Sequence, residues 1–418
     1  MAIFKTQEIL LNTESSFCAG ESNPAGNSYG TRIPVLSVRP SLRQDRQTDG
    51  SIQSRANESR PGYLMPTDGE LEFTTLWPGY MSDVGTGTIT ATWHHLLMAG
   101  WLGGSHVADD GGTISSATDA DSMVTTGVTG LTAGGVVLIG DDADGRADGQ
   151  PAVVSTWSGG TLELLTALPG TPSAADKVRP CQVSYWDETA AVETRRFCVG
   201  FTASGEQYHM LGAACDSVTF DLNVQRQTVP TTTFRYRHAY WEQDAITIPS
   251  GTAMSDCLAA PIGGGACYLQ AFGTSTRQLL APSSVRLTVD FVLAERPGQP
   301  SGANNYRRGL TGYERVQAIP TIELTIPEAD YTSIFSTGFG TDGSGSTHYH
   351  VLWNNTSTST AVPGRVVGFY MPRAYLIGTR PTFADANGLL HKTFMLRGRE
   401  SSTTTSQLTR SAIRFFAG

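Results

Sequence analysis

From Ser217 to Val224, and again from Thr231 to Arg237, apolar side chains recur at every second residue. Val218, Phe220, Leu222 and Val224 share one face of the first stretch, and in the second Phe234 and Tyr236 oppose Thr231, Thr233, Arg235 and Arg237. A period of two belongs to a strand with one face on a core and the other in water. The two stretches are therefore expected to pair as an antiparallel meander. Gly69–Leu76 and Pro320–Ile326 alternate in the same way, and Pro34–Arg39, Arg196–Thr202, Gln207–Leu211 and Val285–Leu293 also carry strand signals. With 46 Gly and 21 Pro to make turns, abundant Ser and Thr, and 16% charged residues, the chain predicts a mostly β fold. Its 418 residues exceed the usual domain of ~100–200, so two or three compact units are expected.

The chain divides into four blocks. Residues 1–67 form an N-terminal arm followed by a long polar segment, Ser41–Pro66, which mixes four arginines with Asp45, Asp49 and Glu58 and has no apolar period to hold it on its own core. A loop longer than ~12–15 residues is usually functional or disordered, and contact with a neighbouring subunit is the reading preferred for this one. Residues 68–107 hold the Gly69–Leu76 strand and a short helix over 91–102, where Trp93, Leu96, Leu97 and Trp101 share a face and Gly103 and Gly104 end it. Residues 108–185 change character: short apolar runs at 135–139, 151–154 and 161–165, separated by Asp/Gly-rich turns, predict an inserted small β-barrel or sandwich. Residues 186–418 return to strands, with loops expected over 260–281 and 296–313. A strand followed by a short helix at 320–335, with Pro327 at the helix start, echoes the strand and helix of 69–102. The echo implies two related β halves, with the 108–185 unit inserted into the first.

The net charge of −9 lacks the basic surface that ordinary nucleic-acid binding requires. No apolar run approaches the ~20 residues of a membrane span. The N-terminal residues lack an apolar signal core, so synthesis in a cytoplasm and reduced thiols are expected for Cys18, Cys181, Cys198, Cys215, Cys257 and Cys267, which also show no zinc spacing. No catalytic motif is present, no cofactor is implied, and the protein is not expected to be an enzyme. The carboxylates of 141–148 fail the calcium-loop pattern at Arg146 and read as a hairpin turn. His348 and His350 share a strand face but lack a third ligand, and His94 and His95 point in different directions on their helix.

The order of GELEFTTLWP (69–78), WHHLLMAGWLGG (93–104), GGVVLIGDD (134–142), TLELLTALPG (161–170), GEQYHMLGAACDSVTFDLNVQRQ (205–227), PTIELTIPEADYTSIF (320–335) and GFYMPRAYLIGTRPTFADANGLLHKTFMLRGR (368–399) resembles that of phage tail tube proteins. Tyr208–Gly212 followed by Ser217–Val224 is similar to the pair of strands that closes the inner sheet in that family. The resemblance implies a tail-tube-type β-sandwich core with short flanking helices, located in the virion tail. Subunits would form stacked hexameric rings around a channel through which DNA passes without specific binding, alongside tape measure, terminator and baseplate components. No membrane partner is implied. A loop between the first two core strands makes ring-to-ring contacts in that family, which points to Arg43, Asp45, Arg46, Arg55 and Glu58 as contact residues. Other virion proteins, decoration or baseplate components, share such a composition. A carbohydrate-binding or sugar-cleaving protein would instead need Trp77, Trp157, Trp186 or Trp353 exposed beside paired carboxylates.

Overall fold

The computed structural model describes residues 7–18, 29–43, 46–47, 63–64, 68–77, 100–106, 111–140, 150–168, 170–201, 205–223, 230–245, 252–253, 266–271, 277–298, 310–330, 348–355, 366–386, 389–400 and 406–418. The chain is mostly β, as its alternation predicts. It begins with β1 (Gln7–Thr13), β2 (Thr31–Ile33), β3 (Ser37–Arg43), the two-residue strands β4 (Arg46–Gln47) and β5 (Tyr63–Leu64), β6 (Asp68–Leu76) and β7 (Gly103–His106). Next come β8 (Gly112–Ala117), β9 (Ser122–Thr126), β10 (Val136–Gly140), β11 (Gln150–Ser158), β12 (Thr161–Leu164) and β13 (Lys177–Pro180). Then follow β14 (Gln182–Trp186), β15 (Arg195–Phe201), β16 (Glu206–Asn223), β17 (Thr231–His238), β18 (Tyr240–Ala245) and β19 (Thr252–Ala253). The rest is β20 (Ala266–Ala271), β21 (Gln278–Leu280), β22 (Ser284–Pro297), β23 (Leu310–Pro327), β24 (His348–Asn354), β25 (Val367–Ala386), β26 (Leu389–Gly398), α1 (Gln407–Arg410) and β27 (Arg414–Ala417).

One sheet, the front sheet, holds eight antiparallel strands in the order β3-β6-β17-β16-β22-β23-β26-β25. Two smaller sheets cover its inner face: β2-β1-β15-β16-β18, and β21-β20-β24-β25-β27-β14-β7. The long strands β16 and β25 belong to both layers, and each changes register where it crosses, between Cys215 and Ser217 and between Ile377 and Thr382. The inward residues of the alternating strands meet between the layers, where Phe73 lies 5.1 Å from Phe234, Phe197 lies 4.8 Å from Tyr236, Phe220 lies 4.8 Å from Phe415 and Trp77 stacks on Trp353 at 5.7 Å.

The same eight-strand pattern occurs twice. In the first half β2 pairs β1, β1 pairs β15, β15 pairs β16, and β16 pairs both β18 and β17; β17 then pairs β6 and β6 pairs β3. In the second half β21, β20, β24, β25, β27, β26, β23 and β22 take the same places with the same partners. The equivalence holds residue by residue over β3, β6 and β17, while β25 carries three more residues than β16 between the partners of Met395 and Thr393. Ser37-Val-Arg39 on β3 superposes in register on Ser284-Val-Arg286 on β22, because Ser37 opposes Thr74 and Ser284 opposes Thr325. Thr74 bonds Thr233 through their hydroxyls at 3.0 Å, and Thr325 bonds Thr393 at 2.9 Å. Thr233-Phe234 with Arg237 matches Thr393-Phe394 with Arg397. The pairing thus divides the chain into residues 7–245 and 266–418, and not into the 68–107 and 186–418 blocks read from composition.

The strands β8 to β13 close into a six-stranded barrel in the order β8-β9-β12-β11-β10-β13. Its entry and exit strands, β7 and β14, pair with each other in the sandwich, so the barrel is inserted within the first half and β14 itself, up to Trp186, lies outside it. The barrel fills its interior with Ile114, Met123, Val137, Ile139, Val154 and Leu162. Its outer face, through Val136, Leu138 and Val153, packs on Tyr268, Leu352, Tyr370 and Phe416 of the sandwich.

Several sequence readings are corrected. The expected loop at 260–281 contains β20 and β21, whose Cys267, Leu269 and Leu280 lie in the core; β20 is buried on both faces and so shows no alternation. The 207–211 and 217–224 strands are one, since bending at Cys215 lets a single strand serve two layers. The 296–313 segment is strand at both ends, because β22 and β23 pair out to Pro297 and Leu310. Ser41–Pro66 is not all loop: Ser41–Arg43 pair with β6, and β4 pairs with β5 beyond them. Of the 91–102 helix, Gly100–Leu102 are described and helical; Gly103, at φ +87, turns the chain directly into β7.

Candidate functional site: the outer face of the front sheet

Alternation sends Arg39, Glu70, Glu72, Thr74, Thr233, Arg235, Arg237, Thr219, Asp221, Arg286, Thr288, Thr321 and Glu323 to the side of the front sheet away from the core. Register sorts them into rows that run across the strands. One row is Thr74, Thr233, Thr219, Thr288 and Thr321, a threonine on each of five neighbouring strands. The rows on either side of it are ionic. Arg39, Glu72 and Arg235 lie in one, and Asp221, Arg286 and Glu323 in the other.

Four of the arginines stand beside acids on adjoining strands. Arg235 grips Glu70 with Nη2 at 2.7 Å from Oε1 and Nε at 3.1 Å from Oε2. Arg286 Nη2 donates to Asp221 at 2.7 Å, Arg237 Nη2 to Asp216 at 2.8 Å, and Arg39 Nη1 stands 3.8 Å from Glu72. The bond from Arg235 holds the Glu70 carboxyl below its usual range, and the bond to Asp221 raises Arg286. Asp290 is pushed up by partial burial and by the Asp216 charge. The result is a face of hydroxyls and largely compensated charges, with Leu76 and Met395 exposed in the Asp221 row.

Of the contact residues expected from the sequence, Arg43 ends β3 opposite Asp68, and Arg46 lies in β4 opposite Leu64 in a separate two-stranded sheet. Asp45, Arg55 and Glu58 lie outside the described residues, as do His94, His95 and the 141–148 carboxylates. His350 bonds the Tyr370 hydroxyl through Nδ1 at 2.9 Å, and burial with the Arg414 charge pushes its pKa down to about 4. Among the described residues no three His, Cys, Asp or Glu side chains come together as metal ligands. Trp77, Trp186 and Trp353 are buried in the core and Trp157 is only partly exposed, which corrects the idea of tryptophans exposed as a sugar platform. The thiols of Cys181, Cys198 and Cys267 are buried and pushed up to about 12, unsuited to chemistry.

The sequence left buried polar groups unnoticed, since an isolated Glu or Arg carries no periodic signal. Arg315 donates to the carbonyls of Gly100, Asp187 and Ala190, and burial lowers its pKa to about 10. Arg414 joins barrel to sandwich by donating to Gly134 O at 3.0 Å. Among the described residues no helix is long and apolar enough to cross a membrane. No family model matches this chain, and no curated protein matches it in sequence.

Proposed function

We propose that the protein is a structural, non-enzymatic subunit of a phage tail tube, assembling into stacked rings with the outer face of the front sheet lining the channel. The observation that supports this reading most directly is the face itself: a threonine row on five neighbouring strands, flanked by ionic rows in which Arg235, Arg286 and Arg237 are each engaged by a carboxylate. Phosphate binding draws on cations available to replace counterions. A wall in which Arg235, Arg237 and Arg286 are already neutralised, on a chain of net charge −9, favours the sliding of a polyanion. The order of sequence segments that resembles tail tube proteins supports the same reading. Negative-stain imaging of concentrated purified protein tests it: rings or tubes with a central bore are expected, and discrete monomers at every concentration would sink it.

A further inference from the structure

The midline of the front sheet is a contact between two copies of one unit. There β16, the last front-sheet strand of the first half, pairs with β22, the first of the second half: Thr219 faces Thr288 and Asp221 faces Arg286. The equivalents of these two strands stand at the ends of the same sheet among the described residues. β3 is the equivalent of β22, and β25 is the equivalent of β16. A contact that joins the last strand of one unit to the first of the next is head-to-tail, and such contacts close into rings when their rotation allows.

We propose that the β25 edge of one chain pairs with the β3 edge of a second copy in the register that joins β16 to β22, so that a ring is built of half-chain units. The register transfers by position. Thr219 opposes Thr233, and Thr382 opposes Thr393, the residue equivalent to Thr233. Thr382-Phe383 therefore stands for Thr219-Phe220, and since Ser41 stands for Thr288, Thr382 of one chain falls opposite Ser41 of the next. Likewise Ala384 falls opposite Arg39, the equivalent of Arg286. Pro40 takes the place of Leu287. Proline is accommodated in edge strands with its nitrogen facing outward, so the joint between chains has one donor fewer than the joint within a chain.

The stoichiometry rests on the tube reading above. A six-fold ring of units then contains three chains, not six. Strands ~4.8 Å apart, tilted ~35–45°, give a barrel of three eight-stranded sheets roughly 50 Å across its backbone, whereas two such sheets give roughly 30 Å, much of which inward side chains would fill.

Disulfide trapping tests the pairing. Thr219 Oγ1 and Thr288 Oγ1 lie 3.5 Å apart, close enough that the double variant Thr219→Cys, Thr288→Cys should form an intrachain disulfide and serve as the positive control. The variants Ser41→Cys and Thr382→Cys, mixed and oxidised, should give covalent dimers that neither gives alone. Both substitutions in one chain should give a ladder ending at three chains, and native mass measurement of the unmodified ring should also give three. Rings of six chains, or rings whose Ser41→Cys and Thr382→Cys pair does not cross-link, would overturn the proposal while leaving the tube reading intact. Absence of both rings and cross-links would overturn the two together.

Discussion

Glu14 is a carboxylate enclosed by donors. Thr194 Oγ1 lies 2.5 Å and the Cys18 amide 3.3 Å from its Oε2, and the Gly212 amide lies 2.9 Å from its Oε1. Gly212 is required there: it has φ +62, and a Cβ would sit 2.5 Å from Cys18 Sγ. Burial outweighs these bonds and the attraction of Arg196, raising the Glu14 pKa from 4.5 to about 7. The folded chain therefore binds the proton more tightly than the unfolded chain. The stabilisation is complete below pH 4.5 and is lost as pH rises to about 7, a change of roughly 3 kcal/mol at most. Glu14→Gln, which mimics the neutral acid, is expected to flatten this dependence, and denaturant melts at pH 5 and pH 8 check it. Equal pH slopes for parent and variant would refute the assignment.

At the scale of elements, the barrel is both a self-contained core and a cover. Joining His106 to Gln182 by a short turn removes it at a point where β7 and β14 already lie side by side. Such a deletion uncovers Tyr268, Leu352, Tyr370 and Phe416. The β signal in circular dichroism should persist, stability should fall by on the order of 5 kcal/mol, and an apolar dye should bind the bared face. A deleted chain with unchanged stability and no dye binding would show that the docked face contributes nothing. The barrel's presence was legible in the change of composition at 108, and its exit was not: Gln182–Trp186 has the same apolar look as the barrel strands but pairs with β27 and β7. Partner choice along a strand depends on neighbours distant in sequence, which local pattern does not encode.

Across the whole molecule, repetition gives each chain two extended hairpins. β3 and β6 are joined in sequence through the paired β4 and β5, with residues 48–62 between them, and β22 and β23 continue to Pro297 and Leu310, with 299–309 between. If hairpin tips stack ring on ring, both take part. Replacing 48–62 and 299–309 by Gly-Ser turns is expected to leave rings intact and abolish tube growth, with either replacement alone shortening tubes. Sedimentation and imaging check this, and salt should also weaken stacking, since exposed charges are screened beyond ~8 Å at physiological ionic strength. Tubes of parental length from the double replacement would remove the hairpins from the stacking interface.

Which residues turn inward and which outward along the strands was already written in the order of apolar and polar side chains. A period-two pattern is local, and Phe234, Tyr236 and Phe220 were destined for the core wherever their strands paired. The sequence also contained one trace of the repeat, the likeness of 69–76 to 320–327, but the barrel inserted in one half alone breaks the spacing that would have exposed the rest. The tertiary structure decided what no local pattern reaches. It put β20 between β21 and β24, bent β16 and β25 through two layers, and aligned five threonines and their flanking ion pairs into rows. Those rows exist only once strand order and register are fixed, because each depends on contacts between residues far apart in the chain, and a slip of one residue would turn every side chain to the other face.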